Sequence, residues 1–299
     1  MEIINNVGPV ILIALIGFLL KRLGIFRRED GDLLLLLVFN VSLPALIFDA
    51  FTQIKLSIDY LFLPAITVVT ISTMYLISYF ISGAFRLPRK TRGTFIIGTM
   101  ILNNGFLFPF IYGMYGDEGM ARILLFDFMN GFLAFTWVYY LACRYGGNSQ
   151  HRRTMTKKLL MSPPVWAIIL SISLNLSGAS IPIFLQDTFK ILGEVTIPLI
   201  MIALGIYFSP RLIRPLPVFS AILIRMVIGL LIGYVFSEAL NLEGLTRTIV
   251  LLGTSAPIGF NTLTFASLED LDKDFAASLL SFSILAGMIY VPLFIFFNG

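Results

Sequence analysis

The sequence predicts an all-α integral membrane protein: ten transmembrane helices in two inverted five-helix repeats, with broken helices 4 and 9 crossing each other. Three observations carry that prediction. Apolar residues fill 58% of the 299 positions and charged residues only 13%, with a mean hydropathy of +0.91, whereas soluble domains carry about 25% charged residues. Apolar runs of bilayer-crossing length, about 20 residues, follow one another with short connections. Special residues also recur at a nearly constant spacing of 154 positions.

Hydropathy places the spans near 7–23, 32–51, 59–83, 92–115, 119–143, 162–178, 186–207, 216–238, 246–268 and 275–297. The first run is short enough to resemble a signal peptide. Lys21 and Arg22 follow it instead of preceding it, and it lacks a small-residue cleavage site, so it reads as a retained helix. The connections are too short for an additional folded domain.

The net charge of +4 does not point to nucleic acid, because the basic residues form short clusters between apolar runs. Odd-numbered loops hold sixteen Lys and Arg and even-numbered loops two. The positive-inside rule therefore puts the odd loops in the cytoplasm and both termini outside. The acidic loop "LEDLDKD", 268–274, is assigned to the inside despite its charge, since acidic residues weigh little in that rule. Residues 1–143 form the first repeat, 144–161 a cytoplasmic linker and 162–299 the second repeat. His151 sits among arginines in the linker and reads as solvated. The single cysteine, Cys143, excludes an intrachain disulfide and lacks metal-ligand spacing around it, so no metal and no cofactor are expected.

The repeat is visible in ordered matches. Pro9 answers Pro163, Pro44 answers Pro198, Pro64 answers Pro217 within one residue, and Gly105-Phe106 falls on Gly259-Phe260. Pro9 and Pro163 read as first-turn prolines, where the missing N–H costs nothing. Each half has an odd number of spans, so the second must enter the membrane from the opposite side.

This spacing sets "NNGFLFP" (103–109) on "PIGFNTL" (257–263), with Asn103 aligned with Pro257. Both stretches interrupt apolar runs with residues that make poor helix interior. Backbone groups exposed by a break cost several kcal/mol each in hydrocarbon, so such breaks survive only against protein or water. Paired breaks in an inverted repeat mark a binding site, and half-helix N-termini favour anions. Asn103, Asn104, Thr254, Ser255, Asn261 and Thr262 can donate hydrogen bonds to a carboxylate or carbonyl, with Gly105, Pro109 and Pro257 shaping the breaks. The alternative is that these residues only help helices pack.

Ionisable residues inside spans come next. Asp127, with Asn130 one turn on, reads either as a proton carrier or as a structural hydrogen-bonding group. Arg225 lies eight residues past Pro217, about 12 Å along the helix. It is expected to attract an anionic substrate, to pair with Asp127 or another acid, or to snorkel. Asp49 and Glu194 are shallower and read as interface residues.

"NVSLPALIF", the Asn-Asn-Gly-Phe break, "SPPVWAIIL", "TIPLIMIALG" and "APIGFN" together resemble the auxin efflux carrier family. These are PIN-like permeases that include bacterial malonate-type transporters and share a fold with the bile acid sodium symporters. The likeness spans nearly the whole chain. It implies a scaffold or dimer-forming domain from helices 1, 2, 6 and 7, and a transport domain from helices 3–5 and 8–10 that moves elevator fashion. It also implies substrate at the crossover, with Asn103, Asn104 and Asn261 as candidate ligands, Asp127 and Asn130 supporting them, and crossing points at Pro109 and Pro257.

The expected function is secondary transport of a small organic anion, by uniport or proton coupling, in a homodimer in the cell membrane. Only a short central loop is present, so regulation through a long phosphorylated loop does not carry over. Sodium coupling is disfavoured, because the crossover lacks an acidic cluster. The alternatives are a sodium symporter and a non-transporting channel or ligand sensor. An enzyme lacks support, since no metal motif or nucleophile-base pair is present.

Overall fold

The computed structural model describes residues 2–53, 60, 62–146, 163–178, 181–208 and 211–298, with side chains described throughout these except at 2–7, 10, 53 and 298. From residue 147 on, the expected linker lies outside the described residues, and His151 and Lys55 with it.

The elements are helical, because membrane-length apolar segments must satisfy their own backbone groups. In chain order they are α1 (Glu2–Arg22), α2 (Arg28–Leu37), α3 (Leu43–Gln53), α4 (Phe62–Ala84), α5 (Arg89–Met100), α6 (Asn104–Leu133) and α7 (Tyr139–Tyr145). The second half holds α8 (Pro163–Ser177), α9 (Ile183–Glu194), α10 (Thr196–Tyr207), α11 (Pro215–Ile222), α12 (Gly229–Ala239), α13 (Gly244–Thr254), α14 (Asn261–Leu268) and α15 (Lys273–Asn298). Wider π-helical turns join α2 to α3 at Val38–Ser42, α6 to α7 at Ala134–Val138 and α11 to α12 at Leu223–Ile228.

Six helical stretches among the described residues are long and apolar enough to cross a membrane: Arg28–Thr52, Phe62–Ala84, Asn104–Tyr145, Ile183–Tyr207, Pro215–Ala239 and Lys273–Phe297. The chain is a multi-pass membrane protein. Four of the ten expected spans, 7–23, 92–115, 162–178 and 246–268, have no separate stretch among these six. The expected spans 92–115 and 246–268 are each divided by a break, and the second piece of 92–115 opens the stretch Asn104–Tyr145. The expected span 162–178 is a helix of 15 residues. The expected loop between the fourth and fifth spans is a sharp break at Gly116 that divides α6 into two helical pieces, where φ 56 and ψ −149 are non-helical and suit a residue without a Cβ. At the N-terminus, α1 begins at Glu2, so Pro9 lies inside the helix and not in its opening turn.

The chain divides into two compact units. The first comprises Met1–Leu61, Phe108–Leu124 and Leu160–Phe208, and the second Phe62–Leu107, Leu125–Leu159 and Ser209–Gly299. In the first, α1 packs on α10 at backbone contact. A Cβ at Gly17 would strike the Ile202 carbonyl and one at Gly205 the Ala14 carbonyl, the small-residue packing that membrane helices use in place of a hydrophobic drive. Nearby, the Tyr207 hydroxyl donates to Asp32, and Asn175 Nδ2 donates to the Phe51 carbonyl at 2.8 Å.

In the second unit, Met74, Phe95, Val218, Ile222, Ile258, Phe275 and Leu279 form a buried apolar cluster. One end is tied by polar contacts from the first turn of α5 to α7 and to the loop before α15. Lys90 pairs with Asp270 at 2.5 Å, Thr91 Oγ1 donates to Asp272 at 2.6 Å, and Arg89 donates to the Arg144 carbonyl at 2.6 Å. The Lys90 ammonium holds the exposed Asp270 carboxyl below its ordinary pKa.

Candidate functional site

Helix α5 ends at Met100 and α6 begins at Asn104; α13 ends at Thr254 and α14 begins at Asn261. Within the second unit these interruptions pair with each other. Leu102 and Ile258 form an isolated antiparallel bridge, in which the Asn103 N–H donates to the Pro257 carbonyl at 2.9 Å and the Gly259 N–H to the Ile101 carbonyl at 3.0 Å. Across the bridge Asn103 faces Pro257 and Gly259 faces Ile101, and the local two-fold that relates the two bonds makes Gly259 the equivalent of Asn103. That equivalence lies two residues beyond the motif spacing, which aligns Asn103 with Pro257. A Cβ at Gly259 would lie 2.5 Å from Ile101 Cγ2 and 3.0 Å from the Leu102 carbonyl oxygen, so any larger residue there forces the Ile101 side chain aside and crowds the bridge.

Most remaining backbone groups of the breaks are matched by side chains, as hydrocarbon requires. Asn130 faces Leu102 as a second strand would: its Oδ1 accepts from the Leu102 N–H at 3.1 Å and its Nδ2 donates to the Leu102 carbonyl at 3.0 Å. Asn103 caps α6 by accepting from the Phe106 N–H at 3.2 Å, while its Nδ2 donates to the Ile258 carbonyl at 3.3 Å. Ser283 Oγ accepts from the Ile258 N–H at 3.2 Å.

Asp127 binds the amide cluster. Its Oδ1 accepts from Asn104 Nδ2 at 2.9 Å and from Asn130 Nδ2 at 2.7 Å. Asp127 is half-buried, and its second carboxylate oxygen has no hydrogen bond among the described residues. The buried Asn104 Oδ1 and Thr262 Oγ1 are likewise without partners there. Half-buried Asn261 opens α14 with no side-chain bond among the described residues. Gly105 faces open space, since a Cβ there would meet only Asn103 Oδ1, 3.9 Å away.

Other expected site residues are placed differently. Thr254 and Ser255 are buried and turn their hydroxyls back on their own helix, Thr254 to the Val250 carbonyl at 2.8 Å and Ser255 to the Leu251 carbonyl at 2.6 Å. Pro109 is not at the break, because the non-helical residues precede Asn104 and Pro109 lies inside α6. Arg225 neither snorkels nor pairs with an acid. It is fully buried, makes no ion pair among the described residues, and donates to the carbonyls of Thr254, Ala256 (3.2 Å) and Thr99 (3.3 Å). Sequence reasoning missed Ser283 and Tyr290, whose hydroxyl lies 2.8 Å from Ser255 Oγ; in α15 they carry no signal beyond being polar.

Taken as chemistry, the arrangement offers two helix N-termini beginning beside one short bridge. The first backbone N–H groups of a helix have no intrahelical acceptor and carry partial positive charge. A carboxylate or carbonyl meeting Asn104, Gly105 or Asn261 would find donors there. A match to known sequences decides what kind of protein carries this crossover: the membrane transport protein family matches residues 2–295. The chain belongs to that family. It is the family of the auxin efflux carriers and PIN-like proteins, in agreement with the motifs.

Relatives of this membrane transport protein align over nearly their full length. An uncharacterized transporter of Methanocaldococcus jannaschii is 28% identical over 295 residues, covering 95% of each chain. One from Methanothermobacter thermautotrophicus is 29% identical, over 97% of this chain and 96% of its own. The uncharacterized transporter YfdV of Escherichia coli is 22% identical, over 98% of this chain and 96% of its own.

Proposed function

We propose that the protein is a carrier for a small organic anion, a carboxylate, bound at the paired helix breaks. The antiparallel bridge between Leu102 and Ile258 is the observation that carries this reading, because it brings the starts of α6 and α14 to neighbouring backbone. The unpartnered Asn104 Oδ1 and Thr262 Oγ1 favour a polar occupant, substrate or water, over packing alone. Family membership favours transport over sensing.

Asp127 supplies the coupling in this reading. An ionised carboxylate hydrogen-bonded to Asn104 opposes an anion at the start of α6, and protonation removes that charge, so proton and anion enter together. The alternation is of the elevator type, with the first unit as scaffold and the second as the moving body. The grouping of α1–α3 and α8–α10 in one compact unit supports that assignment, while the middle of α6, Phe108–Leu124, groups with them and departs from it. The two halves are inverted repeats of five spans each, supported by the two-fold pairing of the breaks. The scaffold forms the homodimer, and the linker and odd-numbered loops are cytoplasmic.

A thermal-shift screen of mono- and dicarboxylates on purified protein, followed by uptake into proteoliposomes, tests the proposal. Saturable flux with counterflow is expected, and unsaturable conductance would overturn it. Asp127→Asn is expected to transport with a flattened pH dependence, whereas an unchanged pH profile would remove Asp127 from coupling.

A further inference from the structure

Arg225 is 0% exposed, yet no acid balances it among the described residues. A charge held in hydrocarbon without an ionic partner is costly and needs a compensating arrangement. Here that arrangement consists of backbone carbonyls. Arg225 donates to the carbonyls of Thr99, next to the last residue of α5, Thr254, the last of α13, and Ala256 in the second break. Helix C-terminal carbonyls lack intrahelical donors and carry partial negative charge. In broken-helix carriers such half-helix ends and unwound carbonyls are the groups that coordinate a free cation.

The surrounding packing is built to this contact. Arg225 stands on the π-helical turn Leu223–Ile228, a widening that re-aims side chains and recurs at functional sites. One turn on, a Cβ at Gly229 would strike the Thr254 carbonyl and lie 3.0 Å from Arg225 Nη2, so only glycine lets α13 come this close.

We propose that Arg225 is a tethered cation: its guanidinium fills the position where the carboxyl-terminal ends of the two leading half-helices would otherwise bind a free alkali cation. The crossover is then assembled without sodium. The chain carries its own counter-charge, and bound anion moves without a coupling metal ion. The inference concerns the crossover's assembly and stands whether or not the substrate is a carboxylate.

Melting of the purified full-length protein tests it without any substrate. Wild-type protein is expected to melt at the same temperature in sodium, potassium and choline chloride at matched ionic strength. Arg225→Ala is expected to melt lower by on the order of 10 °C, and millimolar guanidinium or an alkali cation, but not choline, recovers part of that loss. Arg225→Lys, which keeps a cation, should be more stable than Arg225→Gln, which keeps donors without charge. A specific sodium stabilisation of wild type overturns the proposal. So does an Arg225→Ala protein indifferent to guanidinium and alkali cations, or a Gln variant as stable as Lys. If no variant folds, the wild-type comparison alone decides.

Discussion

The two helix breaks form one bridge but are built from different chemistry. The first spans only Ile101–Asn103 and is satisfied by amides, with Asn130 pairing both backbone groups of Leu102 and Asn103 capping the next helix. The second spans Ser255–Phe260 and relies on a serine hydroxyl from α15, a glycine at the contact and Arg225. Among the described residues the first touches a carboxylate, Asp127 through Asn104. A duplicated backbone geometry thus leaves each half free to specialise: one break holds titratable polar chemistry and the other holds fixed charge.

If that contrast is right, the breaks fail differently when single groups are removed. Asn130→Ala is expected to be the most damaging change, because it strands a buried N–H and a buried carbonyl at Leu102 together, costing about 2 to 5 kcal/mol. Denaturant or thermal melting in detergent reads this loss directly, and a near-neutral effect would show that water replaces the amide. Gly259→Ala follows, at about 1 to 3 kcal/mol, because the new Cβ strikes Ile101 Cγ2 and crowds the Leu102 carbonyl, so the Ile101 side chain must repack beside the bridge.

Gly259 also shows where reading the sequence stops. Both breaks were legible in it, because asparagine, glycine and proline inside long apolar runs contradict helix propensity, and the Asp127–Asn130 pairing follows from their spacing. The Asn103 cap and the bridge between the breaks were not, since they depend on hydrogen bonds whose local two-fold runs two residues off the Gly-Phe repeat. Arg225 was visible as a deep charge, but backbone carbonyls leave no trace in composition, so its partners were hidden. The acidic loop 268–274 looked out of place until Asp270 and Asp272 met Lys90 and Thr91. The loop expected between residues 115 and 119 is a break at Gly116, whose backbone angles alone separate the two helical pieces.

Ser283→Ala probes the second break more gently. It leaves the single Ile258 N–H without its acceptor, for an expected loss of about 1 to 3 kcal/mol, toward the lower figure if water enters. Restoration by Ser283→Thr, which keeps the hydroxyl, would assign the effect to the hydrogen bond and not to packing.

The smallest effect on folding is expected at Gly105, the motif partner of Gly259. No atom but Asn103 Oδ1 lies within 4 Å of a Cβ built there, and the position is inside α6. Alanine therefore gains up to about 1 kcal/mol of helix propensity and meets no clash. In the proposed carrier that same open space belongs to the anion, so Gly105→Ala should leave melting unchanged or raised while weakening carboxylate binding in the thermal-shift assay. Equal loss of stability at Gly105 and Gly259 would mean that the breaks are equivalent after all. Unchanged binding at Gly105 would place the anion away from the start of α6.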